Sequence, residues 1–353
     1  MTEQKVGYRP FKSVVEGLSK AGYLEVIKGY KETFNIHEKG IATRFRATEA
    51  LISLASDHGI RLSDWSSHFE LLPRPKTVEA PVQLRANNWK NRQGIKCSGG
   101  SMPVDLEDPA VIGFANQVNE INAFMAEQDI QPAEWHFAFS RIFGQGDLPD
   151  FNWNKGARLY SYGYGESYQQ VKKAERKRLS INGEPIAEVD IQASYLTILH
   201  HLLGAPPPEA DPYDIPGIPR GVVKIWVTIT LGNNGFHHRW PKESKQRYAE
   251  QSKSEQADLE RDHPFKSTQA TILEHLPLLK DWPNCAVRWG DLQFLESCAV
   301  IDATHRLAME YGIPALPLHD ALLVPVSKAN IAKEVLSECF YQKVGIRPKI
   351  AIK

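Results

Sequence analysis

Glu188-Val-Asp-Ile-Gln-Ala-Ser-Tyr-Leu-Thr-Ile-Leu-His200 decides the fold. It opens with strand alternation: Ala187, Val189 and Ile191 interleave with Glu188 and Asp190, the pattern of a sheet with one buried face. It then changes to helical spacing, with Tyr195, Ile198, Leu199, Leu202 and Leu203 on one side. Asp190 stands where strand gives way to helix, so its carboxylate projects from a rigid edge. An Asp in that place is also often only a helix cap.

A second stretch bears on that choice. Pro314-Ala-Leu-Pro-Leu-His-Asp-Ala-Leu-Leu-Val-Pro-Val326 reads as a β-hairpin. Leu316 and Leu318 lead in, His319 and Asp320 form the turn, and Leu322, Leu323, Val324 and Val326 lead out. A carboxylate flanked by apolar strands is costly to bury unless something pairs with it. A divalent cation can pair Asp190 and Asp320 together, since Mg²⁺ favours one or two carboxylates plus phosphate oxygens. Between these stretches lies Arg220-Gly-Val-Val-Lys-Ile-Trp-Val-Thr-Ile-Thr-Leu-Gly232. Arg220, Lys224 and Thr228 recur every fourth residue and so share one helix face, suited to a triphosphate or simply a solvated basic edge.

The order of these segments resembles the family A DNA polymerases and the related single-subunit phage-type RNA polymerases. Asp190-Ile-Gln-Ala-Ser-Tyr-Leu-Thr stands where that family has Asp-Tyr-Ser-Gln-Ile-Glu-Leu-Arg. Arg220 and Lys224 match its fingers-helix pair, and Leu318-His319-Asp320-Ala321 is similar to its Val-His-Asp-Glu. Upstream, Gly156-Ala-Arg-Leu-Tyr-Ser161 and Tyr168-Gln-Gln170 look like its Gly-Arg-Leu-Ser-Ser and Asn-Leu-Gln elements. The resemblance spans roughly residues 152 to 340 and is greatest to compact polymerase-like proteins of phages and mobile elements.

The resemblance implies an α+β right-hand palm with small fingers and a reduced helical thumb. It implies nucleotidyl transfer with Asp190 and Asp320 catalytic, and two Mg²⁺ (Mn²⁺ able to substitute) held by these carboxylates and the Ile191 carbonyl. Arg220, Lys224, Tyr195 and Thr228 would face the nucleotide. Arg158, Gln169 or Gln170, Arg176, Arg178 and His319 would face the primer or template DNA. There are departures. The glutamate after His-Asp is Ala321, the family's sugar-facing glutamate is Tyr195, and the fingers aromatic and Tyr-Gly pair are Thr228 and Leu231-Gly232. Bulk at Tyr195 leans toward deoxynucleotides. Two other readings stay open: a primer-independent primase or RNA polymerase, and a non-catalytic DNA-binding replication protein.

At 353 residues the chain can hold two or three domains and a substantial core. Its zero formal charge neither requires nor forbids a basic cleft. Cys97, Cys285, Cys298 and Cys339 are scattered, without zinc spacing or a disulfide framework. No signal peptide or membrane-spanning run is evident, so a cytoplasmic location is expected, and protein partners are not legible.

Three segments are expected. Residues 1–72 would form a winged-helix-like module: helix Pro10–Ala21, strands Tyr23–Gly29 and Gly40–Thr48, then helix Glu49–His58. Lys12, Lys20, Lys28, Lys31, Arg44 and Arg46 would be available to phosphates, or the module is a scaffold. Residues 73–150 would hold most of a linker running over 70–105 and then two thumb-like helices, one from Asp108 to Gln128 and one from Pro132 to Ile142. Residues 151–353 would hold the palm, with fingers inserted at about 205–285 and a charged, mobile stretch over 237–268. The run from Tyr160 to Arg178, tyrosines followed by five positive charges against one negative in Lys172–Arg178, suits a nucleic-acid track. A helix over Gly290–Tyr311 carries Glu296, which either faces the cleft or caps a buried network.

Overall fold

The structure, a computed structural model, describes residues 8–31, 40–61, 63, 80–91, 96–133, 135–163, 166–208, 210–233, 235–252 and 257–353. It divides into two compact units, Met1–Pro73 and Arg74–Lys353.

The first unit holds α1 (Tyr8–Lys20), β1 (Leu24–Ile27), β2 (Tyr30–Lys31), β3 (Gly40–Ile41), β4 (Arg44–Ala47) and α2 (Glu49–Asp57). The helix–strand–strand–helix order is the expected one, with β1 antiparallel to β4. The expected hairpin tip lies mostly outside the described residues. Thr48 caps α2, its hydroxyl accepting from the Leu51 amide at 3.5 Å. Phe11 meets Phe45 edge to face at 5.8 Å. No described residue of this unit is fully buried. Lys12 and Arg46, two of its expected phosphate-facing cations, pair with Glu16 and Glu25.

The second unit begins with β5 (Val82–Arg85), β6 (Trp89–Lys90), β7 (Lys96–Cys97), β8 (Ser101–Met102) and α3 (Pro109–Ala126). Then come β9 (Ile130–Gln131), β10 (Trp135–His136), β11 (Ala138–Phe143) and β12 (Gly156–Tyr162). β12, β11, β5 and β8 form one sheet in that order, with β5 parallel to β11.

Two expectations fail here. The stretch expected as a linker contributes β5 and β8, because Val82 and Leu84 bury themselves despite the flanking prolines and glycines. The helix expected over Pro132–Ile142 is a pair of strands. Trp135, Phe137 and Phe139 alternate with His136, Ala138 and Ser140, and aromatic residues favour the pleated surface. The expected helix over 108–128 is α3, with Asp108 as its cap at 2.8 Å from the Ala110 amide. It packs on β11, β5 and a later helix, so its apolar stripe is core packing.

β13 (Glu166–Ser167), α4 (Lys173–Arg176), β14 (Ser180–Ile181), β15 (Glu184–Ile191) and α5 (Ser194–Leu202) follow. The strand-to-helix switch falls where the change of period places it. Ala187, Val189 and Ile191 are buried as expected. In α5 the inner side differs: Leu196, Ile198 and Leu199 are buried, whereas Leu202 and Leu203 are exposed. Next come α6 (Arg220–Asn233), α7 (Lys242–Ser252), α8 (Leu259–Asp262), α9 (Phe265–His275) and the 23-residue α10 (Trp289–Tyr311). The charged stretch over 237–268 is largely helical where described. Its few apolar residues are large and face inward: Trp240, Leu259 and Phe265 are buried, and the Trp240 indole donates to the His263 carbonyl at 2.8 Å.

β16 (Leu316–Leu318) and β17 (Ala321–Pro325) form the expected hairpin around His319-Asp320. The chain ends with α11 (Ala329–Val344) and β18 (Ile350–Ile352). β16, β17, β15, β14 and β9 lie in that order, with β18 on β15. Leu322 and Leu323 belong to different apolar clusters, so β17 is covered on both faces. That explains its unbroken apolar run. α10 is shared in the same way, with Val300 in one cluster and Ile301 in the other.

Candidate active site

Antiparallel pairing of β15 with β17 sets Asp190 opposite Ala321, so Asp320 sits one residue beyond, in the turn. The Ile191 amide donates to the Asp320 carbonyl at 3.0 Å, closing the two strand ends together. Asp190 and Asp320, 130 positions apart in sequence, therefore share one end of the sheet. The turn and the strand–helix junction both use left-handed backbone at non-glycine residues: φ is +56° at His319 and +51° at Ala193. Such conformations cost about 1 kcal/mol or more each and collect at functional sites.

The site is electrostatically loaded. Asp320 is half-buried, and its carboxyl is raised to about 7, first by desolvation, then by Glu296 and Asp190. Lys224 of α6 acts in the opposite direction on the same carboxyl. The Lys353 ammonium bonds Asp190 and lies 3.7 Å from Glu188. Glu296 is 1% exposed on α10, yet both its oxygens are used. One accepts from Arg158 Nη2 at 2.5 Å, the other from the Ser194 hydroxyl. Arg158 Nη2 also donates to the Tyr195 hydroxyl at 2.8 Å. Desolvation, ahead of Glu296, holds that phenol far above the usual tyrosine range. Arg158 Nη1 lies 3.2 Å from His319 Nδ1. A guanidinium only donates, so this nitrogen accepts and the ring is neutral. The direction agrees: desolvation, then Arg158 and Arg176, lowers His319 to about 4, although the residue as a whole is exposed.

The expected site residues divide accordingly. Asp190, Ile191, Asp320, His319, Tyr195 and Arg158 come together, and Lys224 acts on Asp320. Arg220, Lys224 and Thr228 lie exposed on one face of α6, opposite Val222, Val223 and Trp226. Arg220 is held by Asp211 at 2.6 Å and stacks over Tyr213 at 5.3 Å. The Thr228 hydroxyl donates back to the Lys224 carbonyl at 2.7 Å.

Gln169 sits inside the framework. Its amide accepts from the Ser161 amide and donates to the Leu159 and Pro317 carbonyls, each at 3.0 Å. Gln170 is exposed. Arg176 donates to the Val171 carbonyl at 2.7 Å, and Arg178 lies 6.0 Å over the Trp135 ring. Tyr168, one of the tyrosines of the expected track, is fully buried and donates to Pro317 O at 2.5 Å. Tyr164 lies outside the described residues. Ser194 and Lys353 carry no sequence signal. Glu296 takes the second of its two expected roles, in a buried network.

The donor set fits a divalent cation in kind: one carboxylate at a strand end and one in the adjoining turn, the latter facing other negative charge. Among the described residues no cluster of three or more His, Cys, Asp or Glu is placed to hold a metal. Two carboxylates are the number Mg²⁺ commonly takes from a protein that also presents phosphates to it.

No protein-family model matches the chain, and no curated protein matches it. Among solved structures it is similar to the POL domain of Pol1 from M. smegmatis, in complex with DNA primer-template and dNTP. Identity is 12%, TM-score 0.36, and the match covers 86% of this chain and 62% of that one. The chain thus spans less than two thirds of that neighbour's length, and at this distance the likeness assigns no function. The architecture is mixed α/β, and no described helix is long and apolar enough to cross a membrane.

Proposed function

We propose that the chain is a template-directed nucleotidyltransferase of the DNA polymerase type, acting on a primer–template and nucleoside triphosphates in replication or repair. One observation carries the reading. Asp190 and Asp320 meet at one sheet end, and the Asp320 carboxyl is raised to about 7 by desolvation, Glu296 and Asp190. Lys353 pairs with Asp190, but among the described residues no ion pair offsets the charge of Asp320, and a divalent cation between the two carboxylates would.

Asp190 and Asp320, with the Ile191 carbonyl, would hold Mg²⁺ or Mn²⁺. When bound, the ions supply Lewis acidity that activates a 3′-hydroxyl and stabilises leaving pyrophosphate. Arg220 and Lys224 would neutralise the triphosphate from the exposed face of α6, Arg220 exchanging Asp211 for phosphate oxygens. Tyr195, fixed by Arg158, would bound the space beside the incoming sugar. His319, neutral and at the turn, would position the primer end. Arg176 and Arg178 would meet the strand backbone. The palm and fingers assignments belong to this proposal; the expected helical thumb does not, because its second helix is β10 and β11 and α3 packs into the core.

The test is extension of a labelled primer on templates of different sequence, with each dNTP or NTP supplied separately. Incorporation that follows the template supports the reading. Binding without incorporation, with either metal and on primed or unprimed strands, replaces it with a non-catalytic DNA-binding role.

A further inference from the structure

A cavity of about 270 Å³ opens beside the acidic site and is used by none of the roles above. Its walls are the start of α10, β12, the end of β11 and the chain after β5. Two links tie it to the site. Trp289, on its wall, packs edge to face on Tyr195 at 4.6 Å between ring centroids. Tyr160, on another wall, is two residues from Arg158 and so shares its face of β12.

The lining is of one chemical kind. Trp289 and Tyr160 offer aromatic surface, Gln293, Gln145 and Asn88 offer amides, and Arg85 offers a cation. Much of this bonding capacity is unspent. The Gln293 amide makes no hydrogen bond to the protein among the described residues. Asn88 uses its oxygen, accepting from the Gly99 amide at 3.1 Å, which leaves its NH₂ group. Among the described residues the Gln145 side chain bonds the Asn87 oxygen alone, at 3.4 Å. The floor is bare because glycine forms it. A Cβ at Gly290 would stand 2.1 Å from Gln145 Oε1, and one at Gly156 would stand 3.2 Å from the Gly144 nitrogen. The walls are braced: Lys155 ties Asp150 after β11 to Asp291 of α10, at 2.8 and 2.6 Å.

We propose that this cavity receives one unpaired nucleobase of the nucleic-acid strand bound at the acidic site. Flat aromatic walls suit the faces of a base, and free amides, which both donate and accept, suit its edge. Arg85 suits the attached phosphate. The volume is below the roughly 300–1,000 Å³ of drug-sized sites, as a small flat ligand such as one base requires. Amides of both polarities bond any of the bases, so the cavity holds a base without selecting it.

The proposal takes its strand from the polymerase-type reading, so its test omits nucleotides and metal. A short single-stranded oligonucleotide carrying one 2-aminopurine is titrated with protein, by anisotropy and by 2-aminopurine emission, which rises when the base leaves its stack. Wild type should bind and raise the emission. Gln293→Leu, which keeps the helix and removes the amide, should bind about tenfold more weakly and lose the rise; Arg85→Ala should weaken binding severalfold. Unchanged thermal melts show that both variants are folded. Equal binding and emission in wild type and Gln293→Leu, or no rise with wild type, overturns the proposal. Failure of extension with the emission signal intact in wild type and lost in Gln293→Leu would remove the polymerase reading and leave the cavity standing.

Discussion

Replacing Asp320 by Asn should stabilise the metal-free protein at neutral and higher pH. The Asp320 carboxyl rises from 3.8 to about 7 on folding, by desolvation and the charges of Glu296 and Asp190. A carboxyl raised on folding binds its proton more tightly in the native state. Its penalty is absent below the unfolded value, grows as pH climbs toward 7, and is complete above that. The full difference sets an upper bound of about 4 kcal/mol. Asp320 keeps some solvent access, so about 2 kcal/mol is the expected effect at roughly pH 8. For a unit of this size that corresponds to about 5 °C in Tm. Thermal unfolding of wild type and Asp320→Asn, followed by circular dichroism in chelator, reads the difference directly. At about pH 5 the gap should shrink to roughly a third. Millimolar Mg²⁺ should close it from the other side, by raising the wild-type Tm while leaving the variant nearly unmoved. A variant no more stable than wild type at pH 8, or a gap independent of pH, would refute the electrostatic reasoning.

Glu296→Ala should act in the opposite direction. It leaves the Arg158 guanidinium buried without its carboxylate, costing about 3–5 kcal/mol in urea unfolding. Lys353→Ala should lower the Mg²⁺ concentration for half-maximal activity severalfold, because that ammonium occupies Asp190; a raised requirement would instead show that Lys353 helps assemble the site. Tyr195→Gly should increase ribonucleotide relative to deoxyribonucleotide incorporation about tenfold or more, read as a ratio of kcat/KM, whereas an unchanged ratio would place Tyr195 outside the sugar pocket.

Much of the site's scaffold was legible because its signals are local. The change of period at Ile191 marks the strand–helix junction, and apolar runs around His319-Asp320 mark the hairpin. The spacing of Arg220, Lys224 and Thr228 places them together on the outside of α6. The misreadings also have local causes. Pro132-Ala133 imitates a helix start, while the decisive signal is the alternation of aromatic residues that follows. Val82 and Leu84 form too short a run to stand out among prolines and glycines, yet they make a central strand. What sequence could not supply is long-range pairing. Arg158 meets Glu296 across 138 positions, and Lys353 meets Asp190 across 163. Gln169 resembled a strand-contacting residue, but three backbone groups of the framework engage its amide.

The central claim is that Asp190 and Asp320 together make one metal-dependent nucleotidyl-transfer site. Its most direct test sets wild type beside Asp190→Ala and Asp320→Ala, extending a labelled primer–template with Mg²⁺ and nucleoside triphosphates. The account predicts extension by wild type and loss of at least about a thousandfold in each variant, both still folded and still binding the primer–template. Extension that survives either substitution would contradict it.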